Sequence, residues 1–504
     1  MPSRTVFPQI CIALGFEDAE ALLSHARTEY EAGERFLEFR LDYLPVPERG
    51  IVAIRKFLAR HSDCTLLATC RRRQNHGKFH GSVDEQIRIL EAARDAGARA
   101  VDVEIESAEN CTEHLARLRS GCLLLISYHN YGGTPPRMDS VLRRMTRIPA
   151  DGYKVVTTAR KPSDGHRVLA LARGNPKTPI VVLAMGEIGF ATRVLSPAFG
   201  GMYTYAAPNA GEGTASGQVC ARQLRNIYRI GKFSKDARIY GVIADPVRHS
   251  ISPVVHNRAF QARRADAVYL PFLVQPGRLK DFMLLADRLP LAGFSVTIPH
   301  KQKILRYLDQ VDPEARRIGA VNTVWRKAGK WRGTNTDAAG VTAPLERHVR
   351  LAKSSVLVVG NGGAARGAAF TVAAAGAKLA ITGRNLDRVR ALASLCGAEV
   401  LPRDQAESRM FDVLIHATPI GMTPRPQECF FRDRVPAKLV FDMVYTPLET
   451  ALLTRAKAQG ATVIPGLEMF LEQAARQFEI WTGESAPRAV MEKAALEALV
   501  TRKV

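Results

Sequence analysis

Two polar side chains in the first half of the sequence have types and surroundings that suit carbonyl chemistry. Lys154 lies inside the apolar run YKVVTT, and His129 closes the run CLLLISYH. Because burial disfavours an isolated ammonium, such a lysine would be a neutral amine able to attack a ketone and form an imine. An imidazole beside it could then remove the adjacent proton and protonate a leaving hydroxyl. A structural alternative stays open, in which Lys154 pairs with Glu38 or Glu104 and His129 is an ordinary loop residue.

A second group of polar residues lies in four short clusters of the second half, HSISPVVHN, GFSVTIPHK, GAVNTV and GTNTDAAG. Each cluster follows or overlaps a strand-like run, where sites are usually built. Hydroxyls and amides suit a polyhydroxylated ring acid, because each group can donate or accept a hydrogen bond. Taken singly, Lys301 also suits a solvated helix start and Asp337 an N-cap. The candidates are Ser250, Ser252, Lys301, Asn322, Thr336 and Asp337.

A third signal is the segment SSVLVVGNGGAARGAAFTVAAAG, which predicts a strand, a glycine-rich turn and a helix. Gly360, Gly362 and Gly363 would let the backbone approach a pyrophosphate at the helix N-terminus. At the end of the next strand, ITGRN places Arg384 where an NAD-selecting domain usually has an acidic residue. A guanidinium there favours the 2'-phosphate of NADP, and the alternative is an exposed arginine in a turn.

The elements that must position the first group are eight β-rich runs, which alternate with helical segments such as DAEALLSHARTEYEAG. This alternation predicts consecutive βα units around a parallel sheet, and eight units have the size of a closed (β/α)8 TIM barrel. Barrel sites lie at the C-terminal ends of the strands. The polar residues Glu38, Arg40, Arg71, Glu104 and His129 fall at those ends, so the first half is predicted to be an α/β barrel with its site there.

The second half predicts two further α/β units. The first has strands at RIYGVIA, AVYLPFLV, GFSVTIP and VNTVWRK, and the second continues from the glycine-rich turn with KLAIT, DVLIHA, KLVFDMV and ATVIP. The second series is typical of a Rossmann dinucleotide-binding domain. We predict domains at residues 1–232, 237–340 and 341–468, with helices from about 469 to 504 completing the middle domain.

The composition of the 504 residues is that of an ordinary globular protein with a formal net charge of +22. This charge would attract anionic ligands, but Lys and Arg are spread along the chain without a block, so no nucleic-acid partner is expected. The eight cysteines are scattered with no CxxC pair, which predicts neither a disulfide framework nor a metal site. Because no secretory signal or membrane-spanning run is found, we expect a cytoplasmic protein with no membrane partner.

Four motifs of the first half, LEFRLDYL, SYHNY, YKVVTT and GQV, resemble type I 3-dehydroquinate dehydratase over about residues 5 to 230. The resemblance implies that Lys154 forms the imine with the 3-keto group, that His129 shuttles the proton, and that water is lost by syn elimination. It also implies that Arg193, in FATRVLS, clamps the substrate carboxylate. The sequence departs from the family where many members have Glu-Gly-Gly, since it has Asn75, His76 and Gly77. The implied substrate-binding residues are Glu38, Arg40, Arg71, Arg193, Thr214 and Gln218.

Seven ordered motifs of the second half resemble shikimate dehydrogenase over about residues 238 to 490, namely the four polar clusters, VVGNGGAARG, ATPIGM and PGLEMFLEQAARQF. The resemblance implies that Lys301 handles the proton of the reacting oxygen and that Asp337 orients the neighbouring hydroxyl. The implied substrate-binding residues are Ser250, Ser252, Thr297, Asn322 and Gln473. The implied cofactor-binding residues are Gly360, Asn361, Gly362, Gly363, Ala364, Arg384, Thr418, Met443 and Gly466.

Two departures from the second family bear on specificity. Its usual phosphate motif is Asn-Arg-Thr, whereas this chain has Gly383, Arg384 and Asn385. Ser295 stands where many bacterial single-domain members have Asn, and members fused to a dehydratase resemble this chain more closely there. NADP is the cofactor that Arg384 favours.

The two halves together predict a bifunctional enzyme of the shikimate pathway. The first half would convert 3-dehydroquinate to 3-dehydroshikimate, and the second would reduce 3-dehydroshikimate to shikimate with NADPH. One alternative keeps both folds but makes the second half an NAD-dependent quinate/shikimate dehydrogenase. Another is a regulatory protein that senses ring acids without catalysis, against which the intact Lys154, His129, Lys301 and Asp337 argue. The sequence leaves the oligomeric state open.

Overall fold

The computed structural model describes residues 7–209 and 213–501. Two compact units divide the chain, and the main boundary between them lies between Ala237 and Arg238. The described residues form one sheet of eight strands and two sheets of six strands. Among these residues, no helix combines the length and the apolar character needed to cross a bilayer.

The first sheet contains the eight strands that the sequence predicts. They are β1 (Ile10–Leu14), β2 (Phe36–Arg40), β3 (Thr65–Thr69), β4 (Ala100–Glu104), β5 (Leu123–Asn130), β6 (Gly152–Thr158), β7 (Ile180–Met185) and β8 (Thr204–Ala206). The order is β7-β6-β5-β4-β3-β2-β1-β8, and neighbouring strands pair in parallel. Near the open edges, Met202 N donates to Ile180 O at 2.8 Å. The predicted α/β barrel is therefore confirmed, as a nearly closed one.

Helices connect these strands. They are α1 (Ala19–Glu31), α2 (Glu48–Leu58), α3 (Val83–Asp95), α4 (Ile105–Ala108), α5 (Thr112–Arg119), α6 (Met138–Met145), α7 (Ser163–Gly174), α8 (Phe190–Leu195) and α9 (Ala221–Asn226), with short 3-10 helices at Leu41–Tyr43 and Arg73–Asn75. Local sequence explains where the first of them begin, because Asp18 caps α1 and Ser82 forms a capping box with Glu85 at the start of α3.

The barrel interior is built in layers, because alternate residues of a strand face the same side. One layer is apolar and includes Phe36, Leu67, Ala100 and Leu125 from four consecutive strands. Two residues further along the same strands come Glu38, Thr69, Asp102 and Ser127, all buried. The chain thus changes from an apolar to a polar interior towards the C-terminal ends of the strands, where a barrel site is expected.

The second sheet is mixed. Its strands are β9 (Arg238–Ala244), β10 (Ala267–Leu273), β11 (Leu291–Val296), β12 (Gln310–Val311), β13 (Thr323–Lys327) and β14 (Lys330–Thr334), and the helices are α10 (Ser252–Ala262), α11 (Leu279–Arg288) and α12 (Pro313–Ile318), with a 3-10 helix at Lys303–Tyr307. The strand order is β10-β9-β11-β13-β14-β12. β12 and β14 were not predicted, because β12 is two residues long and KWRGT of β14 lacks an apolar pattern. The turn before β14 has Ala328 and Gly329 at positive φ, which suits a hairpin.

The third sheet is entirely parallel, in the order β17-β16-β15-β18-β19-β20. Its strands are β15 (Ser355–Val359), β16 (Lys378–Thr382), β17 (Glu399–Val400), β18 (Phe411–His416), β19 (Ala437–Asp442) and β20 (Thr462–Ile464). The helices of this part are α13 (Asp337–Glu346), α14 (Gly363–Ala374), α15 (Leu386–Cys396), α16 (Arg403–Ser408), α17 (Ala451–Ala458), α18 (Gly466–Thr482) and α19 (Arg488–Thr501), with a 3-10 helix at Leu351–Lys353.

Both faces of this third sheet are covered by apolar residues. Val356 and Val358 of β15 belong to one core cluster, whereas Leu357 and Val359 belong to another. A strand buried on both faces is the reason that SVLVV is continuously apolar. The order of the strands reverses between β15 and β18, so the crevice at their C-terminal ends is the predicted dinucleotide site of a Rossmann fold.

Candidate active sites

Lys154 lies on β6 inside the barrel, and only 3% of its side chain is exposed. Its Nζ forms an ion pair with Asp102, lies 3.7 Å from Glu38 Oε1 and is 3.1 Å from the hydroxyl of Tyr205. Of the two alternative partners, Glu38 is confirmed as a neighbour of Lys154, whereas the described residues show no ion pair between Lys154 and Glu104. Glu104 instead accepts hydrogen bonds from Arg72 N at 2.8 Å and from Gln86 Nε2. The amine thus lies among two carboxylates and a phenol, and Asp102 and Tyr205 are within hydrogen-bond distance of it.

Asp102 is the residue of this site that the sequence analysis missed. Its Oδ1 accepts a hydrogen bond from Ser127 Oγ at 2.6 Å and lies 3.3 Å from Arg71 Nη2. Burial opposes the ionisation of Asp102, but Lys154 and Arg71 outweigh it and hold the pKa of this carboxyl below its usual range. The available signal was the alternation in VDVE, which puts Asp102 on the same strand face as Glu104.

His129 lies on β5, two positions along from Ser127, the β5 residue paired in register with Lys154. Arg71 Nη1 is 3.0 Å from His129 Nε2, and because a guanidinium can only donate, Nε2 accepts and the ring proton is on Nδ1. Burial, followed by the charges of Arg71 and Lys154, lowers the pKa of His129 well below its ordinary value. The imidazole is therefore neutral at pH 7, which is the form a general base needs.

Two buried arginines line the same end of the barrel. Arg40 makes two hydrogen bonds to Asp42, at 2.9 and 2.8 Å, so its charge is matched within the chain. Arg193 on α8 is buried, and among the described residues it has no carboxylate partner; its Nη2 donates to Ser216 O at 3.2 Å. Burial lowers the pKa of Arg193 to about 10. An unmatched buried guanidinium is a suitable receptor for an anionic group of a ligand.

The remaining predicted residues of the barrel are Glu38, Gln218 and Thr214. Glu38 accepts a hydrogen bond from Thr69 Oγ1 at 2.6 Å. Gln218 Oε1 accepts one from Ala215 N at 3.2 Å, and Thr214 is half-buried in the same loop.

The loop that departs from the dehydratase motif also has a defined structure. Asn75 Nδ2 donates to Glu106 Oε2 at 3.0 Å, and the ring of His76 lies 4.1 Å from that of Tyr131. His76 has φ 59, a left-handed conformation that is uncommon outside glycine. Gly77 is required, because an added Cβ would lie 2.0 Å from Arg71 O.

The second site contains a close ion pair between Lys301 and Asp337, with Nζ 2.5 Å from Oδ2. Asn322 Nδ2 donates to Asp337 Oδ1 at 2.7 Å and to Thr336 Oγ1 at 3.0 Å. Both simpler interpretations are wrong: Lys301 is largely buried and paired, and the carboxylate of Asp337, the first residue of α13, is bound by side chains instead of capping the helix. The structure therefore brings four predicted residues into one cluster.

A hydrogen-bonded chain of side chains lies beside that cluster. Ser295 Oγ donates to Gln477 Oε1 at 2.8 Å and lies 2.6 Å from the hydroxyl of Tyr269. Gln477 Nε2 reaches Thr323 Oγ1 at 3.1 Å. Tyr269 and Gln477 were missed by the sequence analysis, because a lone Tyr in a strand and a Gln in a helix have no distinctive pattern.

The other predicted substrate residues are Ser250, Ser252, Thr297 and Gln473. Ser252 is buried at the start of α10, and its backbone N donates to Ser250 Oγ at 3.3 Å. Thr297 is half-buried after β11. Gln473 donates to Phe470 O of its own helix at 3.0 Å, and its Cβ would lie 3.5 Å from a Cβ added to Gly340 of α13.

The glycine-rich turn connects β15 to α14 as predicted. Gly360 has φ 127, and an added Cβ would lie 2.9 Å from Ala417 O, so only glycine fits there. A Cβ added to Gly363 would lie 3.4 Å from Cδ of Lys301. The turn and the Lys301–Asp337 pair are therefore neighbours, as a dinucleotide cofactor and a reacting group must be. The half-buried Ala364 follows in the first turn of α14, with Gly362 as the N-cap residue.

The other predicted cofactor residues lie at the same ends of neighbouring strands. Arg384 follows β16 and is exposed. Asn361 of the glycine-rich turn donates through Nδ2 to the O of Asn385, the residue after Arg384, at 3.4 Å. Thr418 follows β18. At Gly466 an added Cβ would lie 2.6 Å from Met443 O, which explains the glycine.

Comparisons with known proteins match each half of the chain to a protein family. The family model described as type I 3-dehydroquinase matches residues 10–234. The shikimate dehydrogenase substrate binding domain matches residues 242–324, and the shikimate 5'-dehydrogenase C-terminal domain matches residues 466–496.

Relatives match both the whole chain and its second half. A chloroplastic bifunctional 3-dehydroquinate dehydratase/shikimate dehydrogenase of Arabidopsis thaliana is 33% identical over 503 residues, which cover 95% of this chain and 83% of that protein. A shikimate dehydrogenase (NADP(+)) of Bacillus anthracis is 40% identical over 257 residues, covering 49% of this chain and 93% of that protein. A crystal structure of a shikimate dehydrogenase in complex with NADP+ matches with a TM-score of 0.51 and 36% identity, over 53% of this chain and 97% of that one.

Proposed function

This chain belongs to the family of bifunctional 3-dehydroquinate dehydratase/shikimate dehydrogenases, and we propose that it catalyses both reactions of that name. The first half dehydrates 3-dehydroquinate to 3-dehydroshikimate, and the second half reduces 3-dehydroshikimate to shikimate with NADPH. The observation that carries the proposal is the presence of two separate sets of reactive side chains. One is the buried Lys154 with the neutral His129, and the other is the Lys301–Asp337 pair next to the glycine-rich turn.

In the dehydratase half, Lys154 attacks the ketone carbon and the carbonyl oxygen leaves as water, so that an imine is formed. Asp102, which is in direct contact with the Lys154 amine, takes up and returns the protons of these steps, with Glu38 3.7 Å away as the second carboxylate. His129 removes the proton beside the imine and delivers a proton to the hydroxyl that leaves. Water then hydrolyses the imine and regenerates the amine. Arg71 holds the imidazole through Nε2 before the substrate arrives.

Arg193 is proposed to bind the carboxylate of 3-dehydroquinate, because it is a buried cation with no carboxylate partner among the described residues. We expect Arg193→Met to raise KM for 3-dehydroquinate by about 100-fold and to change kcat much less, since a charge-assisted bidentate contact would be lost. Steady-state kinetics of the dehydratase would measure this. Arg88→Met, which removes an exposed arginine of α3, is the matched control and should leave KM unchanged. An unchanged KM in Arg193→Met would contradict the assignment.

In the dehydrogenase half, bound NADPH supplies the hydride. The residues fit such a cofactor, because Gly362, the N-cap residue of α14, has open space where a side chain would otherwise stand, and because Arg384 is exposed at the end of the next strand. Lys301 donates a proton to the ketone oxygen, while Asp337, held by Asn322, orients the neighbouring hydroxyl. Ser250, Ser252, Thr297 and Gln473 complete the proposed contacts to the ring acid.

Arg384 provides the test of NADP against the NAD-dependent quinate/shikimate alternative. We expect Arg384→Ala to raise KM for NADPH by about 10- to 50-fold and to leave KM for NADH unchanged, because only the 2'-phosphate requires the guanidinium. Arg390→Ala, which removes another exposed arginine of α15 that is already paired with Asp387, is the matched control. If wild-type protein used NADH with quinate as well as it uses NADPH with shikimate, the alternative would be preferred.

The proposal includes 3-dehydroquinate, 3-dehydroshikimate and shikimate as the partners of the chain and the cytoplasm as its location. The Arabidopsis relative is named as a chloroplastic protein, so location can differ within the family. Imaging of a tagged full-length chain in its own cells would test the location.

A further inference from the structure

His416, at the end of β18, is buried and makes a hydrogen bond through each of its ring nitrogens. Nδ1 lies 2.8 Å from Asp442 Oδ1, and Nε2 lies 2.6 Å from Thr418 Oγ1. Neither contact belongs to the regular pairing of the strands. A buried imidazole with both nitrogens satisfied has one defined ring orientation, so it can hold its two partners at a set distance from each other.

The protons of this chain of side chains can be assigned from their partners. The carboxylate of Asp442 also accepts from Val444 N at 3.0 Å and from Thr450 Oγ1 at 2.5 Å. Because a carboxylate only accepts, His416 donates through Nδ1, which leaves Nε2 as the ring nitrogen that accepts from the hydroxyl of Thr418. Thr418 Oγ1 in turn accepts from Ile420 N at 3.2 Å.

The position of these hydrogen-bonded side chains in the sheet indicates which part of the cofactor they serve. The glycine-rich turn follows β15, and Arg384 follows β16, on the side of β15 away from β18. If Arg384 binds the 2'-phosphate, the adenosine half lies over β15 and β16, and the nicotinamide half must lie across the switch point over β18 and β19. His416 and Asp442 are the last residues of those two strands.

The loops on that side are joined through His416. Thr418 Cγ2 lies 3.2 Å from a Cβ added to Gly360, so the loop after β18 packs directly on the glycine-rich turn. Met443 N donates to His416 O at 2.9 Å, and Gly466 packs against Met443 O. Four residues predicted to bind the cofactor are therefore connected to the imidazole of His416 or to its immediate neighbours, namely Gly360, Thr418, Met443 and Gly466.

We propose that His416 is a positioning residue of the dehydrogenase, which holds Thr418 in place beneath the nicotinamide half of the cofactor. The inference rests on the proposed function, because it takes the crevice above β18 and β19 as the place where NADPH binds. His416 does not touch the reacting atoms in this assignment, and it acts only through Thr418.

Two near-isosteric substitutions separate the two hydrogen bonds of His416. His416→Gln keeps an acceptor in the place of Nε2 for the Thr418 hydroxyl, whereas His416→Asn keeps a donor in the place of Nδ1 for Asp442. The affinities of both variants for NADPH and for adenosine 2',5'-bisphosphate can be measured by fluorescence titration or calorimetry. The second ligand carries only the adenosine half with its phosphates.

We expect His416→Asn to weaken NADPH binding by about tenfold, with binding of adenosine 2',5'-bisphosphate changed less than twofold, and His416→Gln to keep most of the affinity for both. The dehydratase activity of the same proteins is the control, because it depends on the first half of the chain. Equal weakening of both ligands in His416→Asn would overturn the proposal, because it would make His416 a core residue of the whole domain. An unchanged NADPH affinity would also overturn it. Failure of the wild-type protein to bind NADPH would instead refute the proposed function.

Discussion

Replacing Lys154 by alanine is expected to lower the rate of 3-dehydroquinate dehydration by about 10⁴-fold or more, while the dehydrogenase activity of the same chain is kept. No other described amine is placed to form the imine, since Lys154 is the lysine buried between Asp102 and Glu38 inside the barrel. The rate is measured by the formation of 3-dehydroshikimate, and reduction of 3-dehydroshikimate with NADPH is measured on the same sample.

Borohydride trapping tests the imine itself. Wild-type protein incubated with 3-dehydroquinate and borohydride should gain the mass of a reduced adduct, because hydride converts the imine into a stable secondary amine. Lys154→Ala should show no adduct. Lys78→Ala, which removes an exposed lysine that pairs with Glu17, is the matched control and should be labelled like the wild type. An adduct in Lys154→Ala would show that another lysine is the nucleophile.

The stability of the Lys154 variant needs a separate control. Removing the Lys154 cation takes a counter-ion away from the buried carboxylates of Asp102 and Glu38. Breaking a buried ion pair lowers the free energy of unfolding by about 3–5 kcal/mol. The double variant Lys154→Ala with Asp102→Asn removes one of those charges and should recover part of the lost free energy of unfolding, without recovering activity. Thermal unfolding of both variants would separate loss of the nucleophile from loss of the fold.

Replacing Lys301 by alanine is expected to lower reduction of 3-dehydroshikimate by about 10³-fold and to leave dehydration unchanged. The reduction produces an alkoxide unless a proton arrives with the hydride, and Lys301 is the acid that Asp337 holds next to the glycine-rich turn. In an assay that begins with 3-dehydroquinate and NADPH, the variant should accumulate 3-dehydroshikimate and oxidise almost no NADPH.

Lys303→Ala is the control for this second prediction, because Lys303 is exposed only two residues away. It should behave like the wild type. Mixing Lys154→Ala with Lys301→Ala should restore conversion of 3-dehydroquinate to shikimate, because each protein keeps one intact site. A Lys301→Ala protein with more than a tenth of the wild-type reduction rate would contradict the assignment of the acid.

Several residues of both sites could be predicted because their signals are local. Lys154 within YKVVTT and the turn GNGG after SVLVV combine an unusual residue with the strand that carries it. The eight strands of the barrel were predicted for the same reason, since β-rich runs alternating with amphipathic helices depend only on neighbours along the chain. The strands β12 and β17 were missed because two residues are too few to show a period, and β14 was missed because KWRGT lacks an apolar pattern.

The sequence by itself therefore predicted the barrel and the two α/β units of the second half, and it singled out Lys154, His129, Lys301 and Asp337 as the residues proposed to react. Only the tertiary structure decided their partners: Asp102 instead of Glu104 beside Lys154, and Asn322 holding Asp337. It also decided that Tyr269 and Gln477 lie beside Ser295, and that His416 connects Asp442 to Thr418. The physical reason is that periodicity in the sequence reports only which face of its own element a residue occupies. A partner on another strand or helix is set by register and packing, which bring together residues tens or hundreds of positions apart.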